Sequence, residues 1–125
     1  MNKELAHALT SLLGSEYMIT DPKECDYFSQ DVYAQSDFTA QAVIAPENLE
    51  QLSAAVRLVT HAGYSLFPRG GGLSYTGGYL PSTAKAVSLD TSRMNRVIEL
   101  NRRDMYVRVE AGCTWADIHK ALRGT

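Results

Sequence analysis

Arg69 to Gly78 reads RGGGLSYTGG and places five of the chain's nine glycines within ten positions. Glycine costs the most conformational freedom on folding, so such density implies backbone angles or close approaches that a β-carbon would obstruct. Successive backbone N–H groups in a turn of this kind converge on anions, and phosphate is a common occupant of such nests. The short apolar run Tyr64 to Phe67 leads into the loop through Pro68, and Pro81 follows soon after it. The stretch therefore points to a phosphate-bearing ligand.

Two familiar phosphate motifs do not fit. A Walker loop ends in Lys and then Ser or Thr, so that the amine reaches the phosphates and the hydroxyl reaches magnesium; here Gly77 and Gly78 are followed by Tyr79 and Leu80. A Rossmann turn needs GxGxxG between a strand and a helix. Gly70, Gly71 and Gly72 come close, but position 75 is Tyr and Pro81 lies where the helix would continue. What remains is a non-helical loop whose amides can cradle a diphosphate, with Ser74 and Thr76 as hydroxyl donors and Arg69 adding charge or bracing the loop from behind. No carboxylate lies in the stretch to hold a metal ion, which suits a pyrophosphate held rather than cleaved. The alternative is a glycine-rich surface turn with Arg69 in solvent.

Outward from the loop, the pattern is strand, helix, strand, loop and then several strands. Ala40 to Ala45 reads as a short strand ended by Pro46. Asn48 is placed to cap a helix with Gln51 as its reciprocal partner, Leu49, Leu52, Val56 and Val59 giving one face with Ala55 beside it, and Gly63 the stop. Ala86 to Leu89, Val97 to Leu100 and Met105 to Val109 read as strands, the last two joined by the polar Asn101 to Asp104 as a hairpin. Thr114 and Asp117 form a capping pair for a final helix carrying Trp115, Ile118 and Leu122, with Trp115 expected in core packing. Before all this, Asn2 to Leu13 reads as a helix with an apolar stripe of Leu5, Ala8, Leu9 and Leu12. Ser15 to Phe38 reads as an extended, partly buried lead-in rich in aromatics. The order implies a mixed α/β (α+β) domain rather than a purely parallel doubly wound sheet.

The chain has 125 residues, 45% of them hydrophobic, with a formal net charge of -2. That is the size of one domain, and its dispersed charges give no basic face for nucleic acid. Arg93, Arg96, Arg102, Arg103 and Arg108 are interrupted by Glu99, Asp104 and Glu110 and read as a solvated surface. No apolar stretch approaches the roughly 20 residues that span a bilayer, and the N-terminus lacks a signal-peptide pattern. A cytoplasmic protein is the expectation, peripheral membrane attachment through another region being compatible with it. Cys25 and Cys113 are far apart and His7, His61 and His119 are scattered, so ordinary reduced thiols and no metal site are expected. Asp90 is read as stabilising the turn at Thr91 to Arg93.

Four segments in the same order carry a specific resemblance: PENLEQLSAAVRLVTHAG (46–63), FPRGGGLSYTGG (67–78), VSLDTSRMNRVIEL (87–100) and VRVEAGCTWADIHKAL (107–122). Together they resemble the first half of the FAD-binding domain of the FAD-linked oxidases, the vanillyl-alcohol oxidase or PCMH type. The resemblance implies a PCMH-type FAD-binding subdomain over residues 39–125, with a mixed sheet and flanking helices, preceded by the helix and lead-in of residues 1–38. It implies an FAD-dependent oxidoreductase acting on an organic small molecule such as a hydroxy acid or alcohol, with an electron acceptor of unspecified class. Gly70, Gly71, Gly72 and Ser74 inherit the pyrophosphate role, with Leu73, Thr76 and Gly77 nearby, Arg69 positioning the loop, and Gly112 on the cofactor side. No catalytic or metal-binding residue is assigned. Some members carry a histidine just after the glycines that holds flavin covalently; Leu73 stands there, which implies non-covalent binding through this loop. The family's remaining FAD-domain portion and its substrate or cap domain do not fit within 125 residues, so the chain is expected to be part of a longer protein and inactive on its own. The rival reading is a non-catalytic nucleotide-binding or regulatory module that keeps the cradle.

Overall fold

The structure is a computed structural model describing residues 1–125. Its centre is a four-stranded mixed sheet of β1 (Met18–Ile19), β2 (Ala42–Ile44), β3 (Ser65–Arg69) and β4 (Ala86–Asp90), in the spatial order β1-β2-β4-β3. β4 runs parallel to both neighbours, with Val43 opposite Ser88 and Phe67 opposite Ser88, and β1 pairs antiparallel to β2. Every residue of β2 is buried, as are the first four of β4. Continuous burial of that kind, which takes in the polar Ser88, belongs to strands covered on both faces.

Helices α1 (Lys3–Leu13) and α3 (Leu49–His61) pack on one another and on this sheet. Asn2 caps α1 by accepting from the N–H groups of Glu4 and Leu5. Leu5, Leu9 and Leu13 of α1, Ala55 and Val59 of α3, and Ala42, Ile44, Val87 and Leu89 of the sheet form one apolar cluster. The N-terminal helix is thus part of the same core as the central strands.

The inward face of α3 is rotated from the expected one. Ala55 and Val59 are buried and Leu52 and Leu58 pack against the core, whereas Leu49 is 72% exposed and Val56 lies at the surface. A 3.6-residue period admits both stripes, and the side that α1 occupies selects between them. Asn48 does cap the helix, accepting from Gln51 N at 2.9 Å. The Gln51 side chain, however, accepts from Glu47 N rather than from the cap residue's own N–H.

The lead-in is more regular than expected. It contains a short helix, α2 (Pro22–Tyr27), capped by the Asp21 carboxylate with Pro22 at its first turn, a combination that favours helix starts. Of its aromatics, Tyr17 and Phe28 are partly buried, but Tyr27, Tyr33 and Phe38 are exposed.

After β4, the Asp90 carboxylate accepts from the backbone N–H and hydroxyl of Ser92, the turn role read from sequence. β5 (Val97–Asn101) and β6 (Tyr106–Val109) then form the expected antiparallel hairpin, with an irregularity between Val97 and Glu99. Arg93 is less solvated than expected: its guanidinium lies 3.4 Å from the centroid of the Tyr17 ring and donates to the Ala45 carbonyl at 2.8 Å. The final helix, α4 (Trp115–Leu122), opens with the Thr114–Asp117 capping box. Trp115 does not enter the core; it is 85% exposed.

Candidate functional site

β3 delivers the chain into the glycine loop, and hydrogen bonds from Thr91 N and Oγ1 to the Arg69 carbonyl fix the point of departure. Arg69 is buried behind the loop rather than in solvent. Its guanidinium lies over the rings of Phe28, Tyr79 and Tyr27 at 4.7, 4.9 and 5.0 Å. It donates to the Tyr27 carbonyl at 3.3 Å and toward that of Gln30 at 3.5 Å. The charge is stabilised by ring faces and carbonyl dipoles, with no carboxylate paired to it. Gly72, at φ +74°, closes over this guanidinium; a β-carbon there would lie 2.6 Å from Arg69 Nη2. Glycine is needed at that position both for its backbone angle and for the space taken by the arginine.

In front of the arginine the loop forms one wall of a cavity of about 610 Å³. Gly70, Gly71, Gly72, Leu73 and Ser74 supply that wall, and Cys113, Thr114, Trp115 and Ala116 supply the opposite one. The glycine loop therefore faces the N-terminus of α4. None of the N–H groups from Gly70 to Ser74 donates to a protein acceptor. On the other wall, Cys113 N is taken by the Glu110 carbonyl and Thr114 N by the Asp117 carboxylate, leaving Trp115 N and Ala116 N without protein acceptors. A helix N-terminus carries partial positive charge and unsatisfied donors, so both walls offer the same complement to an anion.

No carboxylate lines this cavity. Asp117 is turned back onto Thr114, which donates from its hydroxyl at 2.7 Å and its N–H at 2.9 Å and holds the Asp117 carboxyl below the ordinary range. The Cys113 thiol is pushed up by desolvation and then by Asp117 and Glu110, which keeps it neutral at neutral pH. A β-carbon on Gly71 would meet no protein atom within 4 Å. A free-amide cradle without competing negative charge fits a pyrophosphate.

Three of the residues expected at the site stand differently. Gly77 N donates to the Asp31 carboxylate at 2.9 Å and is already committed. Thr76 pairs with the Ser74 hydroxyl at 3.2 Å, and neither Thr76 nor Gly77 lines the cavity. Gly112 lies just behind the α4 wall and does not line it either; it is pressed against backbone, where a β-carbon would fall 1.7 Å from the Thr91 carbonyl oxygen. Conversely, Tyr79, Cys113, Thr114 and Ala116 line the cavity without a site role expected of them, and Trp115 lines it too, on the cofactor side, the less favoured alternative to core packing. The capping pair at Thr114 was a legible sign of a helix N-terminus, but nothing local says which loop it faces. A second groove, of about 400 Å³ between the hairpin and α4, is lined by Leu100, Met105, Val107 and Leu122 among others and includes no residue of the glycine loop.

The comparisons with known proteins bear on this geometry. A family model described as FAD binding domain matches residues 40–125. The mitochondrial D-lactate dehydrogenase (cytochrome) of Kluyveromyces lactis is 28% identical over 99 residues, covering 78% of this chain and 17% of that protein. A D-2-hydroxyglutarate dehydrogenase of Pantoea ananatis is 37% identical over 86 residues, covering 66% of this chain and 8% of that protein. The solved 4-ethylphenol oxidase from Gulosibacter chungangensis superposes with a TM-score of 0.82 at 29% identity, over 96% of this chain and 24% of that one. The chain thus spans less than a quarter of the length of each of these proteins.

Proposed function

Because the chain belongs to the FAD-binding domain family of the FAD-linked oxidases, the PCMH type, we propose that its glycine loop and the head of α4 hold the pyrophosphate of FAD in an oxidoreductase acting on a hydroxy acid or another alcohol. The observation that carries this reading is the opposition of two walls of uncommitted N–H groups, residues 70–74 on one side and Trp115 and Ala116 on the other, across one cavity. Dehydrogenases of D-lactate and D-2-hydroxyglutarate among the relatives favour a hydroxy acid as the substrate class.

Each residue then has a physical task. The amides of Gly70 to Ser74 bind phosphoryl oxygens through main-chain donors, which need no proton transfer and stay poised at any pH near neutrality. The α4 terminus adds its dipole from the other side. Arg69 braces the loop through Gly72 and places an unpaired positive charge behind it. Ser74 adds a hydroxyl at the cavity wall. Leu73, 81% exposed, has no nucleophilic atom, so this loop binds the cofactor non-covalently. Bound flavin supplies the acceptor for the electron pair leaving the substrate. The substrate cavity and the route to the final electron acceptor belong to the remainder of the FAD domain and a substrate domain.

The test is FAD binding by calorimetry to the natural polypeptide carrying residues 1–125, compared with Gly71→Asp after circular dichroism shows both folded. The substituted side chain enters open space rather than core, so a carboxylate facing the cradle should weaken FAD by at least about a hundredfold, a factor of ten for each ~1.4 kcal/mol lost. Equal affinity in the two proteins would place the pyrophosphate elsewhere.

A further inference from the structure

We propose that Asp31, in the lead-in segment, is a positioning residue for the pyrophosphate cradle, tying the outgoing leg of the glycine loop to the body of the fold. The inference rests on the FAD reading above and adds a residue from outside the loop.

An anion site made of main-chain amides works only if those amides are held in place before the ligand arrives, since ordering them on binding would consume the affinity gained. The incoming leg is held by β3 and by the Arg69 guanidinium beneath Gly72. The outgoing leg, from Ser74 to Pro81, belongs to no strand or helix. Apart from the buried Tyr79 ring against the Arg69 guanidinium, its restraint comes from a turn more than forty residues earlier. One Asp31 oxygen accepts from Tyr33 N and Ala34 N at 2.8 and 2.7 Å, closing the turn. The other accepts from Gly77 N at 2.9 Å. From the same turn, Val32 N donates to the Ser74 carbonyl at 3.2 Å.

The turn is itself anchored. Asp31 N donates to the Ala34 carbonyl at 2.8 Å, and Ser36 N to the Ser29 carbonyl at 2.9 Å. Ser29 is buried, with its hydroxyl donating to the Cys25 carbonyl of α2 and accepting from Ala40 N ahead of β2. The segment from Ser29 to Ser36 is thus pinned at its base to α2 and to the approach to β2, and at its tip it holds Gly77 through Asp31 and Ser74 through Val32. The bonds from Ala34, Tyr33 and Gly77, with that from Ala34 the largest influence, hold the Asp31 carboxyl below its ordinary range and keep it an acceptor on both oxygens.

Asp31→Asn separates the two duties. The amide oxygen can still close the turn, while the amide NH₂ then faces the Gly77 N–H, donor against donor. The titration uses FAD and ADP, both of which carry the pyrophosphate, with wild type, Asp31→Asn, Ser74→Ala and the double variant. We expect Asp31→Asn to weaken both ligands by about tenfold, with the Ser74→Ala loss less than additive because Ser74 would already be displaced. Unchanged affinity, or full additivity, would overturn the proposal. Hydrogen exchange in the wild-type protein gives a reading independent of the variants: Gly77 N–H should be protected without ligand and unchanged by ADP, while residues 70–74 gain protection. A gain at Gly77 would make it a ligand donor and remove Asp31 from its role. A wild type that binds neither ligand defeats the cradle itself, whereas normal binding by both wild type and Asp31→Asn defeats only this inference.

Discussion

A β-carbon at Gly112 would sit 1.7 Å from the carbonyl oxygen of Thr91, and Gly112 N donates to the Met94 carbonyl at 2.8 Å. The two segments that flank the hairpin cross here, backbone on backbone, and this crossing sets α4 where it faces the glycine loop. Gly112→Ala should therefore destabilise the chain by about 3 kcal/mol, the upper range for overpacking, because neither partner is a side chain able to move aside. Thermal unfolding measures it; a melting temperature within a degree or two of wild type would mean that the crossing yields.

Arg69→Lys keeps the charge but loses the planar guanidinium that lies against three rings and reaches two carbonyls. A lysine ammonium is a compact, strongly hydrated charge and cannot fill that stack. The variant should lose about 1–3 kcal/mol in a denaturant titration, from the cation–π and carbonyl contacts together. Stability equal to wild type would show that charge alone braces the loop.

Leu9 is fully buried in the apolar cluster that α1 shares with α3 and the sheet. Leu9→Ala should cost about 2–5 kcal/mol, from lost burial and the cavity left behind. The same unfolding transition should report the loss from the sheet and from α1. Two separate transitions would show that residues 1–38 form an independent unit.

The carboxyls of Asp117 and Glu110 are held low, the first by the Thr114 hydroxyl and the second by the Arg96 guanidinium at 2.7 Å. A folded-state value below the unfolded one contributes stability above the ordinary carboxylate pKa of about 4, and that contribution is lost as pH falls through the lowered values. Melting temperature should accordingly decline as the pH is taken below about 4, and less steeply in Asp117→Asn combined with Glu110→Gln. Parallel curves for the two proteins would remove these carboxyls as a source of acid sensitivity.

What could be read before any coordinates were the features whose causes lie within a few residues. Asn48 and Thr114 cap helices through side chains that reach three positions on, and Asn101 to Asp104 closes a hairpin. The glycine run marks its loop by composition, and Asp90 serves the turn that follows it. Short-range capping and turn chemistry act the same way whatever the rest of the chain does. The tertiary structure alone decided which of two stripes on α3 faces inward, because α1 chose the side, and left Trp115 exposed on the cavity wall that faces the glycine loop. It also put Arg69 among aromatic rings from the lead-in, joined Asp31 to Gly77, and turned the head of α4 toward the loop. These are contacts between residues tens of positions apart. Local propensity carries no information about them, since they exist only once the sheet has brought its strands into register and the hairpin has crossed at Gly112.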